Sequence, residues 1–160
     1  MKDSKAFLDL IQHLKTFRAL PHRMEKVHQY KKLTFINDSK ATNVDSTGYA
    51  IENFHNIYWI LGGISKDDGI ESLAHLFPRI RGAYLIGEAS IKFAETLGKY
   101  GVKHRLSYNL ELALNQIKLD TIDNEFGIVI LSPACASLDQ WKNFEERGNY
   151  FTKRVREIWL

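Results

Sequence analysis

Between Phe35 and Thr47 the chain reads FINDSKATNVDST, an apolar run that gives way abruptly to polar residues able to hold an anion. Leu33, Phe35 and Ile36 supply β propensity, and Asn37 and Asp38 break the strand. Ser39, Thr42, Asn43 and Ser46 are each competent to cap a helix running through Val44, Ala50, Ile51 and Phe54. A strand that runs into a helix start offers unpaired N–H groups and the positive end of the helix dipole, which favour phosphate or carboxylate; Lys40 adds a full charge beside them. Taken alone, the same spacing also suits a plain strand–loop–helix connection with Lys40 in solvent.

Other chemistry is excluded by what the sequence lacks. There is no G-x-x-x-x-G-K-[ST], and Gly62-Gly63-Ile64-Ser65-Lys66 is too short to replace that phosphate cradle, so the chain is not expected to transfer phosphate by itself. There is no G-x-G-x-x-G, which argues against a dinucleotide fold signature. The six histidines have no metal-ligand spacing with nearby carboxylates. The net charge of +3 comes from scattered Lys and Arg without a basic run, so no nucleic-acid surface is indicated. A single cysteine, Cys135, rules out an intrachain disulfide, fits a reducing cytoplasm and reads as a small buried apolar residue. No signal peptide is visible, and no apolar run approaches the roughly 20 residues of a membrane span. A soluble protein with no membrane partner is expected.

At 160 residues and 44% hydrophobic, the chain has the composition of one globular domain. Phe7, Leu8, Ile11, Leu14 and Phe17 predict an amphipathic helix over 4–18. Met24–Tyr30 and Leu33–Asp38 predict two strands joined at Lys31-Lys32 as a hairpin. Nearly continuous apolar runs at Ile57–Leu61, Ala83–Ile86 and Ile128–Leu131 predict strands buried on both faces, and Val102–Leu106 a shorter one. Helical spacing covers 43–54, Ile70–Phe77, Ala89–Tyr100, Leu110–Leu119 and Trp141–Ile158. This alternation predicts an α/β fold: a Rossmann-like, doubly wound, mostly parallel sheet with an N-terminal antiparallel hairpin at its edge. In such a sheet Asn37–Thr42, Gly62–Lys66, Gly87-Glu88 and Ser132–Asp139 all follow strands and converge at one edge, where ligands collect.

Four blocks in order carry a family resemblance: Leu20-Pro21-His22-Arg23; Asn37–Asn43 (NDSKATN); Leu61-Gly62-Gly63 followed by Lys66; and Leu131–Gln140 (LSPACASLDQ) with Lys142–Asn149 (KNFEERGN). Together they resemble the Mur ligases, in particular the D-glutamate-adding members, from about Leu20 to the C-terminus. The resemblance is to the third domain of such an enzyme. It implies that residues 1–20 are a helical segment from the end of the preceding central domain and 21–160 the C-terminal, amino-acid-binding and nucleotide-closing domain.

The implied reaction is amide-bond formation between UDP-N-acetylmuramoyl-L-alanine and D-glutamate through an acyl phosphate in cytoplasmic peptidoglycan precursor synthesis. ATP and Mg2+ serve the full-length enzyme, and the P-loop lies on the central domain. The isolated domain is expected to be monomeric, inactive, without catalytic residues of its own and without a tightly bound cofactor or a metal site. By the same resemblance Lys66 and Thr42 meet the α-carboxylate of D-glutamate, Ser137 and the Phe144 N–H meet its side-chain carboxylate, and His22, Arg23, Asp38 and Lys40 meet the nucleotide. Without it, Lys66 reads as an exposed loop lysine, Ser137 as a cap for the last helix, Phe144 as core, His22-Arg23 as a surface turn and Asp38 as an Asx turn. Ile64-Ser65 stand where the family commonly has Asp-Gly, which bears on the conformation of that loop. Two other readings share the fold: another Mur or folylpolyglutamate-type ligase, and a noncatalytic binding domain.

Overall fold

The alternation of buried strands and amphipathic helices closes into one sheet in the computed structural model, which describes residues 20–66, 69–123 and 126–160. The strands are β1 (Glu25–Tyr30), β2 (Leu33–Asn37), β3 (Ile57–Gly62), β4 (Ile80–Ile86), β5 (His104–Tyr108) and β6 (Gly127–Leu131). The helices are α1 (Val44–Glu52), α2 (Ser90–Lys99), α3 (Leu110–Asp120) and α4 (Phe144–Ile158), with a 3-10 segment at Glu71–Arg79. The strand order is β1-β2-β6-β3-β4-β5; β1 pairs antiparallel with β2 and every other pairing is parallel. The predicted helix over 4–18 lies outside the described residues.

The sheet is covered on both faces because side chains alternate along each strand. Ile57, Trp59 and Leu61 of β3 join Ala83, Leu85 and Ile130 against α1, the 3-10 segment and α2. Tyr58 and Ile60 join Phe35, Tyr84, Val129 and Leu131 against α3 and α4. This two-sided burial is the predicted doubly wound arrangement, with the hairpin at its edge.

Local chemistry moved several boundaries. The Ile70–Phe77 helix is a 3-10 segment: Pro78 has no N–H to give an α-helical bond, and its ring crowds the carbonyl four residues back. The strand predicted from Val102 starts at His104, because the Val102 N–H is spent on Leu97 O, closing α2 (2.9 Å) after Gly101 turns with φ 69°. The last helix starts at Phe144 instead of Trp141, since Asn143 caps it by accepting the Glu146 N–H (2.8 Å). Met24 (φ 47°) stays outside β1, and Lys31 (φ 50°) supplies the left-handed turn residue that the hairpin lacks in Gly or Asn.

Candidate functional site

The loops that leave β2, β3, β4 and β6 are fastened to one another at the carboxyl edge of the sheet. Ile64 and Ala136 form an antiparallel bridge with N–H···O distances of 2.9 and 3.0 Å. The Gly62 N–H donates to Pro133 O (2.9 Å) and the Ala89 N–H to Gly63 O (3.0 Å). Gly87 (φ 67°) lets the β4 loop pass so closely that a Cβ there would stand 2.2 Å from Asp139 Oδ2 and 2.8 Å from Gly63 Cα. Asp139 Oδ2 itself accepts the Glu88 N–H (3.0 Å).

Arg147 joins the β2 loop to the β6 loop. The side chain is only 1% exposed. Its Nε donates to Ser39 Oγ (2.9 Å) and Nη2 to Ser39 O (2.9 Å), while both terminal nitrogens reach Cys135 O at 3.2 Å. Burial pushes its pKa down to about 10, which leaves it charged at neutral pH. Its hydrogen-bond acceptors are neutral, and the nearby Asp139 carboxylate favours the charged form against burial. Ser39 Oγ donates onward to Phe144 O (2.8 Å), tying the same loop to the start of α4.

The four residues expected to meet D-glutamate lie on these fastened segments. Lys66 is exposed two residues beyond Ile64, and Ser137 is buried directly after that residue's bridge partner Ala136. Thr42 is half-buried between the β2 loop and α1; the α1 cap is Asn43, which accepts the Ser46 N–H at 2.9 Å. Phe144 opens α4, so its N–H is among those that helix geometry leaves without an intrahelical acceptor. Its ring meets His22 edge-on, centroids 6.2 Å apart. Ser137 does not cap α4, because Asn143 does; its carbonyl accepts the Gln140 and Trp141 N–H groups.

Three of the four nucleotide candidates share a cavity of ≈ 320 Å³: Arg23, Asp38 and Lys40 line it together with Met24, Ser46, Tyr49 and Asn53. Asp38 is 4% exposed. Its Oδ1 accepts the Met24 N–H (3.1 Å) and Oδ2 accepts from Ser132 Oγ (2.7 Å). Burial nevertheless pushes its pKa up to about 6, opposed by those two bonds and by the Arg23 charge. Lys40 is exposed with Nζ 5.7 Å from the centre of the Phe144 ring. His22 is not on this cavity. Its ring is buried against Gly148, where a Cβ would stand 2.2 Å from Nδ1, and Nδ1 accepts from Asn37 Nδ2 at 3.0 Å. The Asx turn after β2 is made by Asn37, whose Oδ1 accepts the Ser39 N–H (3.2 Å), and not by Asp38.

Sequence reasoning missed the buried polar frame under the site. Asn37 Nδ2 reaches His22, Gly148 O (3.0 Å) and Thr152 Oγ1 (3.1 Å). Thr47 Oγ1 accepts the Ala134 N–H (3.0 Å) and lies 3.2 Å from Ser132 Oγ. These partners are 85 or more residues apart except for His22, so only the polar character of NDSK and SPACAS marked them. Tyr49 and Asn53 were also missed, although the spacing Ser46, Tyr49, Asn53 marks one face of α1.

The family described as "Mur ligase, glutamate ligase domain" matches residues 22–135. The UDP-N-acetylmuramoylalanine–D-glutamate ligase of Agrobacterium fabrum is 49% identical over 147 residues, 91% of this chain and 31% of that protein. The ligase of the same name from Rhizobium meliloti is 46% identical over 152 residues, 94% of this chain and 33% of that one. The chain therefore spans about a third of the length of these curated relatives. Among solved structures, UDP-N-acetylmuramate-alanine ligase MurC of Thermotoga maritima matches with a TM-score of 0.58 at 11% identity, over 92% of this chain and 33% of that one. The bifunctional folylpolyglutamate synthase/dihydrofolate synthase of Yersinia pestis matches at 0.56 and 18% identity, over 89% and 32%. At those identities the likeness is one of fold. The family match takes in the hairpin, the loops after β2, β3 and β4 and the first residues after β6, and by it the chain belongs to the Mur ligase glutamate-ligase-domain family.

Proposed function

We propose that the chain is the amino-acid-binding, nucleotide-closing domain of an ATP-dependent ligase that joins D-glutamate to UDP-N-acetylmuramoyl-L-alanine in cytoplasmic peptidoglycan precursor synthesis. Residues 21–160 form that domain, and 1–20 end the domain before it. The observation that carries the reading is the 49% identity to the Agrobacterium fabrum D-glutamate ligase over 91% of the chain. The fastened loops at the carboxyl edge of the sheet support it.

Within this reading Lys66 and Thr42 hold the α-carboxylate of D-glutamate, and Ser137 with the Phe144 N–H holds the distal one. A dicarboxylate needs a cation and neutral donors at both ends, and the α4 dipole favours the anion further. Arg23 and Lys40 neutralise phosphate, and Asp38 holds ribose hydroxyls through lone pairs that its two internal bonds leave free. The role of these residues is to bind and orient the amine and to exclude water, which lowers the barrier by proximity. Among the described residues no three His, Cys, Asp or Glu side chains group as a metal site, and the Mg2+ of the full-length enzyme would be held by ligands on the central domain. ATP supplies the activation of the carboxylate on the central domain. The fold neighbours that act on other substrates are 11% and 18% identical and favour no second reading.

A chimaera tests this directly: the C-terminal third of the Agrobacterium fabrum enzyme is replaced by this chain. Amide formation with D-glutamate but not L-glutamate, lost on Lys66→Ala without a change in thermal midpoint, is the expected result. A folded, ATP-binding chimaera that ligates no D-glutamate refutes the proposal.

A further inference from the structure

Asn37, Ser39 and Lys40 each reach α4, the helix whose first N–H is given to D-glutamate in the proposed function. Asn37 Nδ2 donates to Gly148 O (3.0 Å) and Thr152 Oγ1 (3.1 Å). Ser39 Oγ donates to Phe144 O (2.8 Å) and accepts from Arg147 Nε (2.9 Å), and Lys40 Nζ stands 5.7 Å from the centre of the Phe144 ring. Asp38 bonds instead to the Met24 N–H and Ser132 Oγ. Ser39 therefore lies between two residues given to the nucleotide, Asp38 and Lys40, with its own side chain committed to the amino-acid side. It is fully buried, so its hydroxyl depends on these partners and not on water. Arg147 carries the tie onward to Cys135 O, two residues before Ser137.

Phe144 is held at three points. Ser39 holds its carbonyl, the Lys40 charge lies over its ring, and His22 meets that ring edge-on with centroids 6.2 Å apart. The Lys40 N–H donates to His22 O (3.0 Å), so both partners of the ring belong to one knot. Planar peptides leave a residue only φ and ψ to turn, so with its carbonyl and ring held, the direction of the Phe144 N–H follows the position of residues 37–40. His22, which is not on the nucleotide cavity, acquires a task here as a brace for Phe144.

We infer that Ser39 and the Phe144 ring are positioning residues that couple the two ligands. A nucleotide that fixes Asp38 and Lys40 also fixes the N–H that receives the distal carboxylate, so nucleotide and D-glutamate bind with positive cooperativity within this one domain. The inference rests on the site assignments of the proposed function and adds the link between them. Linkage is reciprocal, so each ligand tightens the other by the same factor.

The test is amide-resolved NMR titration of the 160-residue chain with D-glutamate, alone and in saturating ADP, and with ADP, alone and in saturating D-glutamate. Both affinities should rise by the same factor of about fivefold or more, the low end of energetic coupling between sites. Ser39→Ala should bring that factor close to one, and so should Phe144→Leu, which keeps the backbone N–H. A merely structural role would lower the thermal midpoint and leave the factor intact. Two ligands that bind the wild type with a factor of one or below, or a factor unchanged in Ser39→Ala or in Phe144→Leu, overturn the inference and leave the site assignments standing. No shift with ADP, or none with D-glutamate in either series, overturns the site assignments and the inference together.

Discussion

Replacing Asp38 by Asn should make the protein more stable above pH 6 and leave it nearly unchanged at pH 4. The carboxyl is buried, and its pKa is pushed up to about 6 from the ordinary 3.8. An acid with a raised folded-state pKa contributes full stability below its unfolded value and loses it as pH rises through the folded value, because the native state binds more protons in between. At about 1.4 kcal/mol per pH unit the penalty reaches about 3 kcal/mol by neutral pH. Asn carries no charge to desolvate. Its Oδ1 can keep the Met24 N–H, its amide can donate to Ser132 Oγ, and the Ser132 hydroxyl can turn to Thr47 Oγ1, already 3.2 Å away. Urea unfolding of both proteins between pH 4 and pH 8 measures the effect. Trp59 is a local reporter, since its Nε1 donates to Ser132 O at 2.8 Å. A difference between the two proteins that stays constant across that range would refute the argument.

Arg147→Met removes the donors to Ser39 O and Cys135 O and should cost about 2–4 kcal/mol in urea unfolding, the penalty of buried acceptors left bare. Arg147→Lys should recover only part, since one ammonium cannot span the fork; full recovery would contradict the clamp. Gly87→Ala and Gly101→Ala share a left-handed backbone, φ 67° and 69°, but Gly101 has nothing within 4 Å of a Cβ whereas Gly87 meets Asp139 and Gly63. Thermal unfolding should give about 1–2 kcal/mol for Gly101→Ala from strain alone and about 2–5 kcal/mol for Gly87→Ala, with equal losses arguing against close approach of the β4 loop.

Much of the architecture was legible because hydrophobic period and burial carry it. Ile57–Leu61 and Ile128–Leu131 read as two-sided strands, and both lie in the middle of the sheet. What failed was local and came from single bonds. Pro78 turned a helix into a 3-10 segment, and the Val102 N–H went to Leu97 instead of a strand. The candidate site was legible as four polar segments after strands, since strand ends in a parallel sheet share one edge. Its interior was not. His22 looked like a turn residue or a nucleotide contact, and only folding buries it against Gly148, 126 positions away.

The sequence by itself therefore determined the strand–helix order, the two-faced core and the edge at which polar loops meet, because those follow from periodicity and handedness within short windows. Tertiary structure alone decided which polar groups hold the loops and which remain open to a ligand. Arg147 on Ser39, Ser132 on Asp38 and Thr47 on Ala134 are pairings across 87 to 108 residues, and no local pattern encodes them. A buried polar group must find a partner wherever the packed chain brings one, so the choice is made by the fold as a whole.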